Sequence, residues 1–215
     1  MSSMPSPSLV RIPTIPSART LMNLLIGGFA GLLLWEIWAR VITPLVIGGP
    51  LEPPGLVISL AENVFGYKLD LGPATVIHWI IGIVGYPILY YIISRSIRDY
   101  GVVLEALVLS IFTLFVASRF LQGAGTSAMI YFWLVVVAVS ATRLINPSKA
   151  LADAMSWGTF TWFNALGIMA PIAGLPFLLM EWGGQLSFMS YVGHVIFGFV
   201  LALVFEYLEA RPRTA

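Results

Sequence analysis

His78 and His194 are the only histidines in this chain, and both lie in strongly apolar surroundings. Each is followed four positions later by glycine, Gly82 and Gly198, which on a helix falls on the same face one turn away. Neutral imidazole is a common metal ligand. A glycine one turn on leaves room for a flat ring or a neighbouring backbone. The spacing therefore admits axial ligation of a haem b iron or a (bacterio)chlorophyll-type magnesium. Arg40 and Arg119, placed towards the same side, are then available to pair with haem propionates. The same spacing also admits plain packing, with each imidazole hydrogen-bonded to the next helix.

Other chemistry is sparse. There is no cysteine, so disulfides, thiolate metal sites and cysteine nucleophiles are excluded. No Ser/His/acid set, acidic metal cluster or phosphate loop is visible, and the chain reads as non-catalytic. Glu36 and Arg40 are spaced i, i+4 and can neutralise one another, with Trp35 and Trp38 beside them suited to an interfacial belt. Glu105 and Arg119 fall near opposite ends of one apolar stretch, from which both can reach the interfaces. No series of ionisable groups crosses the middle, which weighs against a proton pump.

The elements that must position the histidines are membrane helices. Of 215 residues 59% are hydrophobic and 10% charged, whereas soluble domains carry about a quarter charged. A net charge of +1 offers no basic footprint for nucleic acid. Membrane lipids are the expected surroundings. A bilayer core requires about 20 apolar residues as helix, and such stretches occur near 21–43, 73–93, 102–121, 127–145, 156–180 and 187–207. The expected fold is an all-α, polytopic transmembrane bundle of about six spans over residues 21–209. Residues 1–20, rich in Pro and Ser, read as a flexible cytoplasmic tail before an uncleaved first span, and 210–215 as a cytoplasmic C-terminal tail. A short amphipathic helix is expected from Leu56 to Phe65. The QGAGT link predicts an antiparallel hairpin of spans three and four. Pro171 and Pro176 should kink or break span five.

Lys and Arg near the span ends set orientation. Six spans place Arg11, Arg19, Arg95, Arg98, Arg143, Lys149, Arg211 and Arg213 on one side, against Lys68, Arg40 and Arg119 on the other. Both termini are expected in the cytoplasm. Both histidines then lie about 10 Å below the outer ends of their helices, at 1.5 Å per residue.

The segments HWIIGIVGYPILYYIISR (78–95) and HVIFGFVLALVFEYLEAR (194–211) share His, Ile, Gly, Val, Tyr and Arg in register. Pro44, Gly48 and Pro50 are echoed by Pro171, Gly174 and Pro176. This predicts a parallel duplication of a two-helix hairpin. Small residues at Gly27 and Gly31, Ala170 and Gly174, and Gly198 and Ala202 are expected to join helices to one another or to partner subunits.

The glycine-rich first span, IGGFAGLLLWEIWARVITPLVIGGP, and the terminal GHVIFGFVLALVFEY resemble bacterial inner-membrane families known only as domains of unknown function. The resemblance covers about 60 residues. It implies a bacterial cytoplasmic-membrane location and assigns no residue a role. The expected function is that of an accessory subunit of a larger respiratory or photosynthetic membrane complex, in contact with other transmembrane subunits. A haem- or (bacterio)chlorophyll-binding protein using His78 and His194 is one alternative. A small transporter built on the parallel repeat is another.

Overall fold

The computed structural model describes residues 9–121, 137, 141 and 148–212, with the side chains of 115–121 left aside. Every regular element among them is helical. Helix α1 runs Ala18–Ile47, α2 Pro54–Phe65, α3 Leu71–Ser96 and α4 Tyr100–Leu121. Helix α5 runs Lys149–Trp162 and continues through Phe163–Met169 and Ala170–Ile172. A 3₁₀ segment, Phe177–Trp182, leads into α6, Gly184–Glu209.

The ends of these helices follow local chemistry. The Ser17 hydroxyl accepts from the Thr20 amide and opens α1. Gly48 closes it in the left-handed conformation, at φ 78°. The prolines 53 and 54 open α2, where no amide proton is needed.

Three prolines sit inside helices, and each has the same consequence. The residue before it (Thr43, Tyr86 or Ala170) donates its amide five residues back, to Trp38, Ile81 or Ala165. A proline ring clashes with the carbonyl four residues back, and a widened π turn removes that clash. Pro44, Pro87 and Pro171 are thereby accommodated without a break.

Of the six expected spans, three appear among the described residues as helices long and apolar enough to cross a bilayer: α1, α3 and α6. The third expected span coincides with α4. The fourth, 127–145, apart from residues 137 and 141, and the QGAGT link lie outside the described residues. The fifth differs most. It begins at Lys149 rather than 156 and ends at Ile172 rather than 180, because Gly174 turns the chain at φ 73°. Pro171 causes a π turn, and Pro176 lies beyond the helix. The polar residues of α5, Asp153, Ser156, Thr159 and Thr161, are all buried against the bundle. That polar lining is why α5 falls short of a membrane-spanning composition. The pairing of Ala170 with Gly174 as a helix-packing stripe fails for the same reason: Gly174 is in the turn.

Helix α1 is the shared wall. Along one face Gly27, Gly31 and Trp35 meet α6, at Leu201 and Phe205, at Phe197, and at His194 respectively. The adjoining face, Gly28, Leu32 and Glu36, meets α3 at Pro87, Gly82 and His78. Both partners run antiparallel to α1 and hence parallel to one another. Helix α5 lies antiparallel to α6, with Gly158 against Val195 and Gly198.

The described basic groups named above as one side gather at one end of the bundle. Arg95 grips Glu206 through two 2.9 Å bonds, and Tyr90 donates to the same carboxylate. Arg19 reaches the carbonyls of Leu208 and Arg211. Arg98 and Lys149 flank Asp99. Backbone bonds between Leu9–Arg11 and Ser96–Arg98 pin the N-terminal segment there as well.

Candidate ligand-binding site

At the end of the bundle opposite the basic groups, both histidines line a single cavity of about 420 Å³. Trp35 packs against both, its ring centroid 5.7 Å from that of His78 and 5.6 Å from that of His194, with steeply inclined ring planes in each pair. Trp35 is 3% exposed and lines the cavity, so it is packed inside the bundle.

Two of the π turns shape the walls. Ile81 and Gly82 come from the one in α3, Ala165, Leu166 and Met169 from the one in α5. The segment Pro50–Leu60 and the 3₁₀ segment complete the lining. In the latter, Leu178 and Leu179 adopt left-handed φ of 53° and 57°. For non-glycine residues this costs about 1–3 kcal/mol each. The Ser187 hydroxyl holds the Leu178 carbonyl, and Leu178 is fully buried.

The polar groups are few and convergent. His194 Nδ1 lies 2.8 Å from the Ser190 carbonyl oxygen, one turn earlier on α6. His78 Nε2 is buried without a hydrogen-bond partner, 3.6 Å from Glu36 Oε1. Glu36 also accepts from Trp79 Nε1 at 3.0 Å and from Arg40 Nε. The Tyr86 hydroxyl donates to Asn164 Oδ1 at 3.0 Å. An apolar hollow with a small number of aimed polar groups is the usual form of a small-molecule site.

No protein family, curated protein or solved structure matches this chain.

The geometry divides the residues that the sequence singled out. His78, His194 and Gly82 meet at the cavity. Gly198 does not: a Cβ there would lie 2.5 Å from the Gly158 Cα, so the position serves the α5–α6 crossing. Arg40 pairs with Glu36 and is half exposed rather than lining the hollow. Arg119 lies on α4 with its side chain outside the described part. Among the described residues no group of three or more His, Asp or Glu is arranged to hold a metal ion. Two imidazoles therefore suit a metal only if it brings further ligands, as a macrocycle does.

Sequence reasoning missed Trp35, Ser190 and the Pro50–Leu60 segment as parts of the site. A signal for Trp35 existed: Gly27, Gly31 and Trp35 recur every four residues, so a stripe of close backbone contact runs straight into the indole. Trp157 and Trp162 are fully buried core, whereas Trp182 lines the cavity.

Proposed function

We propose that this chain is a non-catalytic integral membrane subunit that holds a lipid-soluble ring ligand between α3 and α6, within a larger membrane complex. The observation that carries this reading is the convergence of both histidines on one apolar cavity, with Trp35 packed against each. A binding role is also favoured by the fixed surroundings of the hollow, since its polar groups are held by Ser190, Trp79, Arg40 and Asn164.

A metallo-tetrapyrrole held by His194 is a second reading, because a backbone bond at Nδ1 orients the opposite nitrogen as a ligand. Such a group would be held by His194, with Trp35 packed beside it.

Mild-detergent purification from native membranes should yield co-migrating transmembrane partners and an extractable ring compound. His194→Leu and His78→Leu should each strip that compound while helical content stays unchanged. A colourless single chain with no extractable ligand would overturn the proposal.

The membrane arrangement belongs to the same proposal. The basic end faces the bacterial cytoplasm with both termini, and α4, residues 127–145 and α5 complete six spans. For α5 the support is its length, about 36 Å at 1.5 Å per residue, with its polar residues turned inward. The duplicated hairpin is supported by the two histidine helices and by the proline-linked π turn that α1 and α5 share. Since the chain has no cysteine, single introduced cysteines report sidedness cleanly. Lys68→Cys should react with an impermeant maleimide on intact cells and Thr214→Cys only after lysis. The reverse pattern would invert the topology.

A further inference from the structure

The two histidines differ in which nitrogen remains available. The Ser190 carbonyl can only accept, so His194 Nδ1 carries the proton and Nε2 presents a bare lone pair. Among the described residues that Nε2 has no hydrogen-bond partner. On the other side, His78 Nε2 faces a carboxylate oxygen of Glu36, itself fixed by Arg40 and Trp79. A proton on Nε2 is favoured beside that oxygen, which leaves Nδ1 as the acceptor nitrogen of His78. Both ends of the site thus offer lone pairs.

Trp35 packs against both imidazoles, with ring centroids 5.7 and 5.6 Å away. The rest of the wall is largely apolar, with Leu32, Ile81, Leu166 and Leu186 among its side chains. A matching ligand has a flat apolar ring and two hydroxyl donors, each able to reach one imidazole lone pair.

We propose that the cavity binds the hydroquinone headgroup of a lipid-soluble quinol in preference to the oxidised quinone. This rests on the ring-ligand reading above and specifies its chemistry. One hydroxyl donates to His194 Nε2 and the other to His78 Nδ1. The quinone has nearly the same shape but carries only acceptors, so its carbonyls meet lone pairs in apolar surroundings. A site built to receive hydroxyl protons rejects an analogue lacking them, because buried polar groups are left unpaired. The proposal concerns binding alone and involves no electron transfer.

The test titrates purified protein in lipid nanodiscs with a decyl-substituted benzoquinol and with its quinone, followed by potentiometry of the bound couple. The quinol should bind at least about tenfold more tightly, which raises the midpoint potential of the bound couple by about 30 mV. His194→Leu should abolish the preference. His194→Gln, which restores an acceptor, should recover part of it, and circular dichroism separates either result from misfolding. Equal affinity for the two forms, or a preference unchanged in folded His194→Leu, overturns the inference. If neither form binds but native protein yields another ring compound, the hydroquinone assignment falls and the ring-ligand reading stands. Absence of any ring ligand removes both.

Discussion

Gly198→Leu is expected to leave no folded protein in the membrane fraction, and Gly198→Ala to destabilise it severely. A Cβ at position 198 would lie 2.5 Å from the Gly158 Cα and 2.9 Å from its amide nitrogen. These are backbone atoms, so no side chain can rotate away, and α5 and α6 must separate. The reciprocal position is as tight, with a Cβ on Gly158 falling 2.6 Å from the Val195 carbonyl oxygen. Overpacking of an interior costs about 1–3 kcal/mol where side chains can adjust. Between two backbones the cost should reach the upper end even for alanine. Because one separation of the helices relieves both clashes, Gly158→Ala with Gly198→Ala should cost clearly less than the sum of the two. Gly49→Ala provides the contrast, with nothing within 4 Å of the new methyl. Folded yield and SDS-unfolding midpoints for the five variants check this. Wild-type behaviour of Gly198→Leu would show that the α5–α6 crossing is placed wrongly.

The second large effect is expected at Trp157. Its side chain is fully buried. It packs edge-on against Tyr86 and Tyr90, with centroids 6.5 and 5.2 Å away, and lies beside Phe160. Tyr86 belongs to the cavity wall and Tyr90 to the polar group around Glu206, so the indole fills the interior between the two ends of the bundle. Trp157→Ala should cost about 3–5 kcal/mol, as truncation of buried aromatics does. Trp157→Phe should cost far less. The indole Nε1 is buried without a hydrogen-bond partner, so phenylalanine removes an unsatisfied donor along with some volume. A small gap between the alanine and phenylalanine variants in SDS unfolding would mean that this interior readily collapses around the loss.

Helical class and three of the membrane helices follow from composition and run length, because lipid as solvent demands long apolar helices with every backbone group paired internally. The helix limits were legible within a few residues for α1, α3 and α6. They were misjudged for α5, where the apolar stretch used to place a span continues past a glycine turn that hydropathy does not register. The gathering of the basic residues at one end was likewise readable, since charge bias sums over loops and needs no knowledge of contacts. Pro171 announced disturbance in its helix but not its form, and the matching turns at Pro44 and Pro87 were not foreseen. A π turn and a break satisfy the same missing amide, and the choice depends on neighbours that fill the widened turn.

His78 and His194 stood out in the sequence because they are rare, and their matching glycines suggested equivalent roles. Tertiary structure separated those roles. Gly82 faces Leu32 at the cavity, whereas Gly198 faces Gly158 at a helix crossing, although both follow a histidine by one turn. Spacing along a helix determines which residues share a face. Which helix that face meets is decided only when α1, α3, α5 and α6 pack together, because lipid-soluble helices gain specificity from close fit rather than from burial of apolar area. The same packing places Trp35 against two rings distant in sequence, and neither the cavity nor its polar ends exist before it forms.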